Sequence, residues 1–348
     1  MVADLVFLRD EKLGILAELI YKQEVLNIQS IQFSSENERV LYLRDCRLNY
    51  ETITSLLNEG GELKTKFQND TVRSPIALNL FSYIENCINN SLQLVQNYTV
   101  RKDYLEKINE HVQYFFTSLK ELDTQSADDV ENLVKEVDEY NKAILAYTLK
   151  YRSPASREFS RMLKAQNITF ENLVATYQAK LSYPGPFNDL KDAQKLRVYD
   201  EIMEASGLGK VMVDEFIDEV KNVAGKAVLL FNAGSIAWDL FTADHVILEA
   251  TKIAIVEIAK VGGAQLGAIV GAALTTQLTG VEASAIFVTM VGALSSFVGA
   301  FILGAAAGWL VSLIIGSAEP PPKSTEGLVF HVAEMPDGAA LARQIAHQ

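Results

Sequence analysis

The chain has 348 residues, 49% of them hydrophobic and 22% charged, which is enough apolar material for a sizeable core, and its formal net charge is −13. That acidity excludes nucleic acid as an expected partner, because phosphate recognition needs clustered Lys and Arg, and it removes any electrostatic pull toward anionic lipid. Contact with a membrane would have to be hydrophobic or receptor-led.

The opening MVADLVFLRDEKLGIL has no basic n-region, long apolar run or small-residue cleavage site, so no secretory signal is expected. The Asn-x-Ser/Thr triplets at Asn69, Asn89, Asn97 and Asn167 are accordingly read as chance. Cys46 and Cys87 make neither a disulfide framework nor a metal spacing. They are read as two free core thiols, the alternative being one bridge between antiparallel helices.

Glycine divides the chain. Of the 20 glycines only Gly14, Gly60, Gly61 and Gly185 precede residue 207. Between Gly61 and Gly185 there is no glycine, and before Pro184 only Pro75 and Pro154 interrupt, which predicts long helices. Leu105, Ile108, Val112, Phe115, Leu119 and Leu122 repeat at spacings of three and four. Ile84, Cys87, Leu94 and Tyr98 share that register, with Ser91 and Arg101 as polar interruptions. The pattern predicts one helix from Pro75, capped by Ser74, to Leu122, about 70 Å long at ~1.5 Å per residue. A second helix, capped by Ser126, buries Val130, Leu133, Val137, Tyr140, Ile144, Tyr147 and Tyr151 and stops at Ser153-Pro154. Further helices are expected over 36–58, 155–182, 187–205 and 211–230, with a loop at 182–189 and no strand before residue 320. After Pro320 to Pro322, GLVFHVAEM suits a strand and GAALARQIAHQ a last helical turn or two.

No constellation points to an enzyme, and no cofactor is expected. His111, His245, His331 and His347 are not paired at ligand spacing, and neither HExxH nor GxSxG occurs. SGLGKVM at 206–212 lacks the first glycine and the Ser/Thr of a phosphate loop. Asp214 with Asp218, and Glu215 with Glu219, share helix sides and are read as a solvated acidic face rather than a metal site.

The C-terminal third is different in kind. From Val261 to Ala318 the only charged residue is Glu282. Val261 to Val281 would be about 31 Å long as a helix, matching a ~30 Å hydrocarbon core. Ala283 to Ala318 is too long for one upright span and must tilt, break near Ser295-Ser296, or extend beyond the bilayer. LTGVEAS supplies the turn of a helical hairpin near 279–283, with Gly280 and Glu282 at its tip.

Small residues recur at every fourth position in both runs: Gly263, Gly267 and Gly271, continued by Thr275 and Thr279, then Gly292, Ser296, Ala300, Gly304, Gly308, Ser312 and Gly316. Such stripes let backbones approach closely, which is how helices associate in lipid. In water each glycine costs a helix about 1 kcal/mol relative to Ala. An apolar hairpin inside a soluble core is the plainer alternative; two adjacent zippered runs of bilayer length argue against it. Gln265, Thr276 and Thr279 lie toward one side of the first run, where they would line water in a ring of copies or simply meet the bundle. A carboxylate such as Glu282 at the bilayer centre costs on the order of 2.5–3.5 kcal/mol, which protonation would reduce. Once across, a ring of Glu282 would favour cations; otherwise it is a solvated loop carboxylate. Upstream, Phe231, Trp238 and Phe241 either seat at a headgroup interface or pack within the water-soluble form.

The expected fold is therefore all-α: an elongated bundle of long helices with a hydrophobic helical hairpin and a short mixed C-terminal tail. The expected division is 1–230 for the bundle, 231–318 for the membrane-insertion region and 319–348 for the tail. In this plan the chain resembles the α-helical pore-forming toxins, the group containing cytolysin A, the haemolysin BL and non-haemolytic enterotoxin components, and the two-component Xax/Yax toxins. The resemblance is one of pattern over most of the chain and is carried by no signature motif. It differs in placing the hydrophobic part after residue 250 rather than midway. It implies a protein soluble when made that inserts into target-cell lipid and oligomerises with itself, with a receptor or second component as a further partner and insecticidal activity as one known use. A membrane-anchored translocator or helical scaffold without toxin activity is the alternative.

Overall fold

The computed structural model describes residues 5–211 (apart from 30, 32, 34–35, 153–156, 167 and 169), 222–242, 300–302, 331–333 and 335–347. Among these residues are ten α-helices: α1 (Asp10–Asn27), α2 (Glu36–Lys66), α3 (Arg73–Gln93), α4 (Tyr98–Glu121), α5 (Ala127–Arg152), α6 (Arg157–Ala165), α7 (Phe170–Lys180), α8 (Asp192–Ala205), α9 (Val223–Thr242) and α10 (Gly338–Ala346). They pack on one another around one main core, so the all-α expectation holds. The predicted seams are buried: Leu105, Ile108, Val112, Phe115 and Leu119 in α4, and Leu133, Val137, Tyr140, Ile144 and Tyr147 in α5. Ser126 caps α5 as expected, its Oγ accepting from Asp129 N at 3.3 Å.

The single long helix from Pro75 to Leu122 is not formed. It breaks after Gln93 into α3 and α4, and the two residues that interrupt the register are the ones that hold the turn. The Arg101 guanidinium donates from Nε to the Ser91 carbonyl at 3.2 Å and the Val95 carbonyl at 2.9 Å, and from Nη2 to the Gln96 carbonyl at 3.1 Å. These carbonyls lie at the open end of α3, where a helix leaves acceptors unsatisfied. Asn97 then starts α4, its side chain accepting from Thr99 N and Val100 N. The start of α3 also differs from the expected Ser74 cap. Asp70 accepts from Val72 N and Arg73 N at 2.9 and 2.8 Å, and Arg73 reaches the Leu119 and Leu122 carbonyls, closing α3 and α4 as an antiparallel pair.

Other boundaries move for similar reasons. α2 runs past the expected end near 58, through Gly60 and Gly61. Gly60 is needed there, because a Cβ would lie 2.8 Å from the Phe81 ring and 3.1 Å from Ile84 of α3. Within 155–182 the described residues form two helices, α6 and α7, and 182–189 is a loop with one 3-10 turn at Phe187–Asp189. Of the helix predicted at 211–230, residues 212–221 lie outside the described residues; the described part runs from Val223 on to Thr242, so the 230/231 division falls inside one helix. α1 has no counterpart among the expected helices, although Leu13, Leu16, Ala17 and Ile20 follow helical spacing and are buried.

The C-terminal half of α3 is buried on every side from Tyr83 to Gln93. A polar helix tolerates this only if its side chains are bonded. Asn89 and Gln93 donate to the Leu8 and Val6 carbonyls at 2.9 and 2.8 Å, and Glu85 accepts from Arg9 and Asp10 N, so the extended segment before α1 is laid along α3. Asn86 donates to Asn141 and Thr148 to Asn90, joining α3 to α5.

The tail closes on the same helix. β1 (Ala300–Ile302) pairs antiparallel with β2 (His331–Ala333); β2 lies where a strand was expected, whereas β1 corrects the expectation of no strand before residue 320, because 331–333 supplies its partner. α10 follows, capped by Asp337 accepting from Ala340 N, and packs on α1 and α3. Gly338 lies against the Leu92 backbone, where a Cβ would collide with the carbonyl group. Gly338→Ala is therefore expected to weaken docking of α10 by about 1–3 kcal/mol. Limited proteolysis should then release the tail roughly ten-fold faster than in the parent, since cleavage follows the open population. An unchanged cleavage rate would contradict the contact.

Candidate membrane-insertion region and the helix that leads into it

The residues predicted to insert, Gly263, Gly267, Gly271, Gly292, Ser296, Gly304, Gly308, Ser312 and Gly316, lie outside the described residues, as do Gly280 and Glu282 at the tip and Gln265, Thr276 and Thr279. Ala300 is the exception. The pattern put it on a helical stripe, and it stands instead in β1, opposite Ala333. A spacing of four does not separate the two conformations, because residues four apart share a face of a strand as well as of a helix. Phe301 and Ile302, aromatic and β-branched, favour the strand once 331–333 supplies a partner. Among the described residues no helix is long and apolar enough to cross a membrane.

The structure does describe the helix that precedes this region in sequence. α9 is the last described helix before it, and α9 packs against α4, α5, α6 and α8. Val228, Leu229, Leu230, Phe231, Ile236, Trp238, Leu240 and Phe241 are all buried, each contributing about 1.5–3 kcal/mol of transfer free energy. Phe231 stacks on Tyr104 at 4.4 Å, and Trp238 and Phe241 meet Phe170 edge-on at 4.9 and 5.7 Å. The three aromatics thus pack within the bundle, the second of their two expected placements. Asn232, polar on this apolar helix, donates to Tyr104 Oη and to the Val228 carbonyl, both at 2.8 Å.

The N-terminus of α9 meets the most unusual polar group in the core. Asn222 caps it, accepting from Gly225 N at 2.8 Å. Gly225 presses on the rings of His111 in α4 and Tyr140 in α5; a Cβ there would lie 2.7 Å from His111 Nε2 and closer still to the Tyr140 hydroxyl. His111 is fully buried, and its Nδ1 shares a 2.8 Å hydrogen bond with the Tyr83 hydroxyl. Its Nε2 has no hydrogen-bond partner. Burial alone lowers the imidazole from its ordinary 6.5 to about 3. Histidine counting in the sequence could only class His111 as isolated, and a buried Gly225 carries no local signature.

The remaining chemistry-bearing groups are held structurally. Glu24 and Arg101 form a wholly buried pair at 2.6 Å. Burial raises the Glu24 carboxyl, and the guanidinium opposes that. Lys210, the nearest thing to a phosphate-loop lysine, is paired with Glu201 and Glu204, while Lys180 binds Glu201 at 2.6 Å. Hydrogen bonds from Lys180 and Lys210 keep the Glu201 carboxyl below its ordinary value. Cys46 and Cys87 are both free and buried, as read, and burial pushes the Cys87 thiol up to about 12. Asp214, Glu215, Asp218 and Glu219 lie outside the described residues. Among the described residues no three His, Cys, Asp or Glu side chains converge to hold a metal ion. In comparison with known proteins, no family model, curated protein or solved structure matches the chain.

Proposed function

We propose that this protein is a pore-forming toxin that inserts its near-chargeless segment into the membrane of a target cell as a helical hairpin and assembles with copies of itself into a lytic pore. The observation that carries the reading is the composition of 261–318: one charge, Glu282, and small residues at every fourth position in two successive runs, on a chain whose other part is a polar-surfaced helical bundle. Small-residue stripes serve helix association in lipid, where apolar surface supplies no driving force. The all-α architecture supports the reading, because such a bundle can carry an apolar segment without itself being a membrane domain. The buried α9 on one side of the segment and the docked α10 on the other give it two attachments to the carrier.

Dye release from liposomes tests this. Detergent-free protein is expected to release trapped dye from vesicles made with target-cell lipids, and Gly304→Ile with Gly308→Ile is expected to abolish release by blocking close helix approach. Flotation with lipid but without leakage would favour an anchored translocator or scaffold. Neither flotation nor leakage, with lipids or with susceptible insect and mammalian cells, would leave the reading without support.

A further inference from the structure

We propose that His111 is an acid-sensitive lock on α9: protonation of its imidazole drives the N-terminal turn of α9 off α4 and α5 and loosens the helix that leads into the near-chargeless segment. The role of this lock in triggering insertion rests on the pore-forming reading; the lock itself does not.

His111 stands where α3, α4, α5 and α9 meet. Tyr83 of α3 lies 5.5 Å from it and Tyr140 of α5 4.2 Å, centroid to centroid, and Phe115 and Tyr114 of its own helix lie at 4.4 and 6.2 Å. Cys87 neighbours Tyr83, and Glu136 faces Tyr114 through a 3.0 Å hydrogen bond. From α9 the neighbours are Gly225 and, next in sequence, Lys226. No carboxylate contributes to the imidazole's shift; desolvation is its one cause.

Protonation makes both ring nitrogens donors. The Tyr83 hydroxyl can accept from Nδ1, but Nε2 has no partner and is aimed at Gly225. The new charge would also sit beside the positive end of the α9 dipole, which disfavours cations. Gly225 leaves no side chain to give way, so the relief open to the cluster is separation of α9 and entry of water.

The folded imidazole titrates near 3 and the exposed one near 6.5, so the closed state binds fewer protons throughout that window. Closure is whole above the upper value and weakens as pH falls toward the lower. The opening constant of α9 should rise about thirty-fold at pH 5 and about three-hundred-fold at pH 4 relative to the neutral imidazole.

Hydrogen exchange of the full-length protein without lipid, corrected for intrinsic rates, decides the matter. Protection across 223–242 is expected to fall by these factors between pH 7 and 4, before that of α1 and α2. His111→Gln and, as a second replacement, His111→Phe should hold α9 protection nearly level over the same range. A level profile in the parent, or an identical fall in either variant, would overturn the lock. The imidazole resonance of His111 gives an answer independent of both variants: it should stay neutral below pH 5 in the folded protein, and titration near 6.5 with α9 still protected would refute the proposal. Liposome leakage run in parallel separates the two ideas. Acid opening without leakage keeps the lock and removes its membrane role; leakage without acid opening removes the lock and leaves the pore-forming reading standing.

Discussion

Arg101→Ala is expected to lower the unfolding free energy by about 3–5 kcal/mol, the usual consequence of removing one member of a buried ion pair. Glu24 would be left as an uncompensated carboxylate at 1% exposure, 2.6 Å from where the guanidinium was. The Ser91, Val95 and Gln96 carbonyls would lose their donor at the same time. Urea unfolding measures the loss directly. The companion Glu24→Leu/Arg101→Met removes both charges and should recover only part of it. In general an apolar replacement of a buried pair is neutral or better, but here the turn between α3 and α4 still lacks a partner for its carbonyls. A loss below about 1 kcal/mol for Arg101→Ala would mean that the turn is held by other contacts. Full recovery in the double variant would assign the whole effect to the stranded carboxylate.

Gly225→Val is expected to cost about 3 kcal/mol, at the upper end for overpacking, because the added atoms meet buried rings from two different helices. Its Cβ would fall among Tyr140 and His111, both fully buried, with Nε2 at 2.7 Å. The N-terminal turn of α9 should therefore open more often at neutral pH, with exchange across 223–242 raised by two orders of magnitude or so (about 1.4 kcal/mol per ten-fold). An unfolding midpoint equal to the parent's would show that α4 or α5 shifts at little cost.

Both changes act on parts of the core that determine how far the chain can rearrange. The pair at Arg101 secures the α3–α4 turn against α1, while Gly225 lets α9 seat on α4 and α5. One belongs to the fixed frame. The other lies on the helix that continues toward the near-chargeless segment, so its effects are the ones to follow in membrane assays.

Much of the bundle was legible in the residues. The buried faces of α4 and α5 follow from three-and-four spacing. The last helix, Gly338–Ala346, was expected from GAALARQIAHQ. Free, buried Cys46 and Cys87 followed from the burial habit of an unpaired thiol in an apolar register. In each case the information is local: periodicity records which side of an element leaves water.

What the amino-acid order determined by itself, then, is the all-α class, the identity of most helices and the separation of an almost uncharged segment, 261–318, from a polar-surfaced bundle. The tertiary structure alone decided where the long apolar register breaks, because the break at 94–97 is held by Arg101, whose partner Glu24 lies 77 positions away. It alone decided that α2 continues through Gly60 and Gly61, where close approach to Phe81 makes Gly60 useful rather than disruptive. It moved Ala300 from a helix to a strand by providing 331–333 opposite. It also enclosed His111 between four helices with Gly225 against its free nitrogen. These outcomes depend on groups brought together from distant parts of the chain, and local spacing carries no record of what lies across an interface.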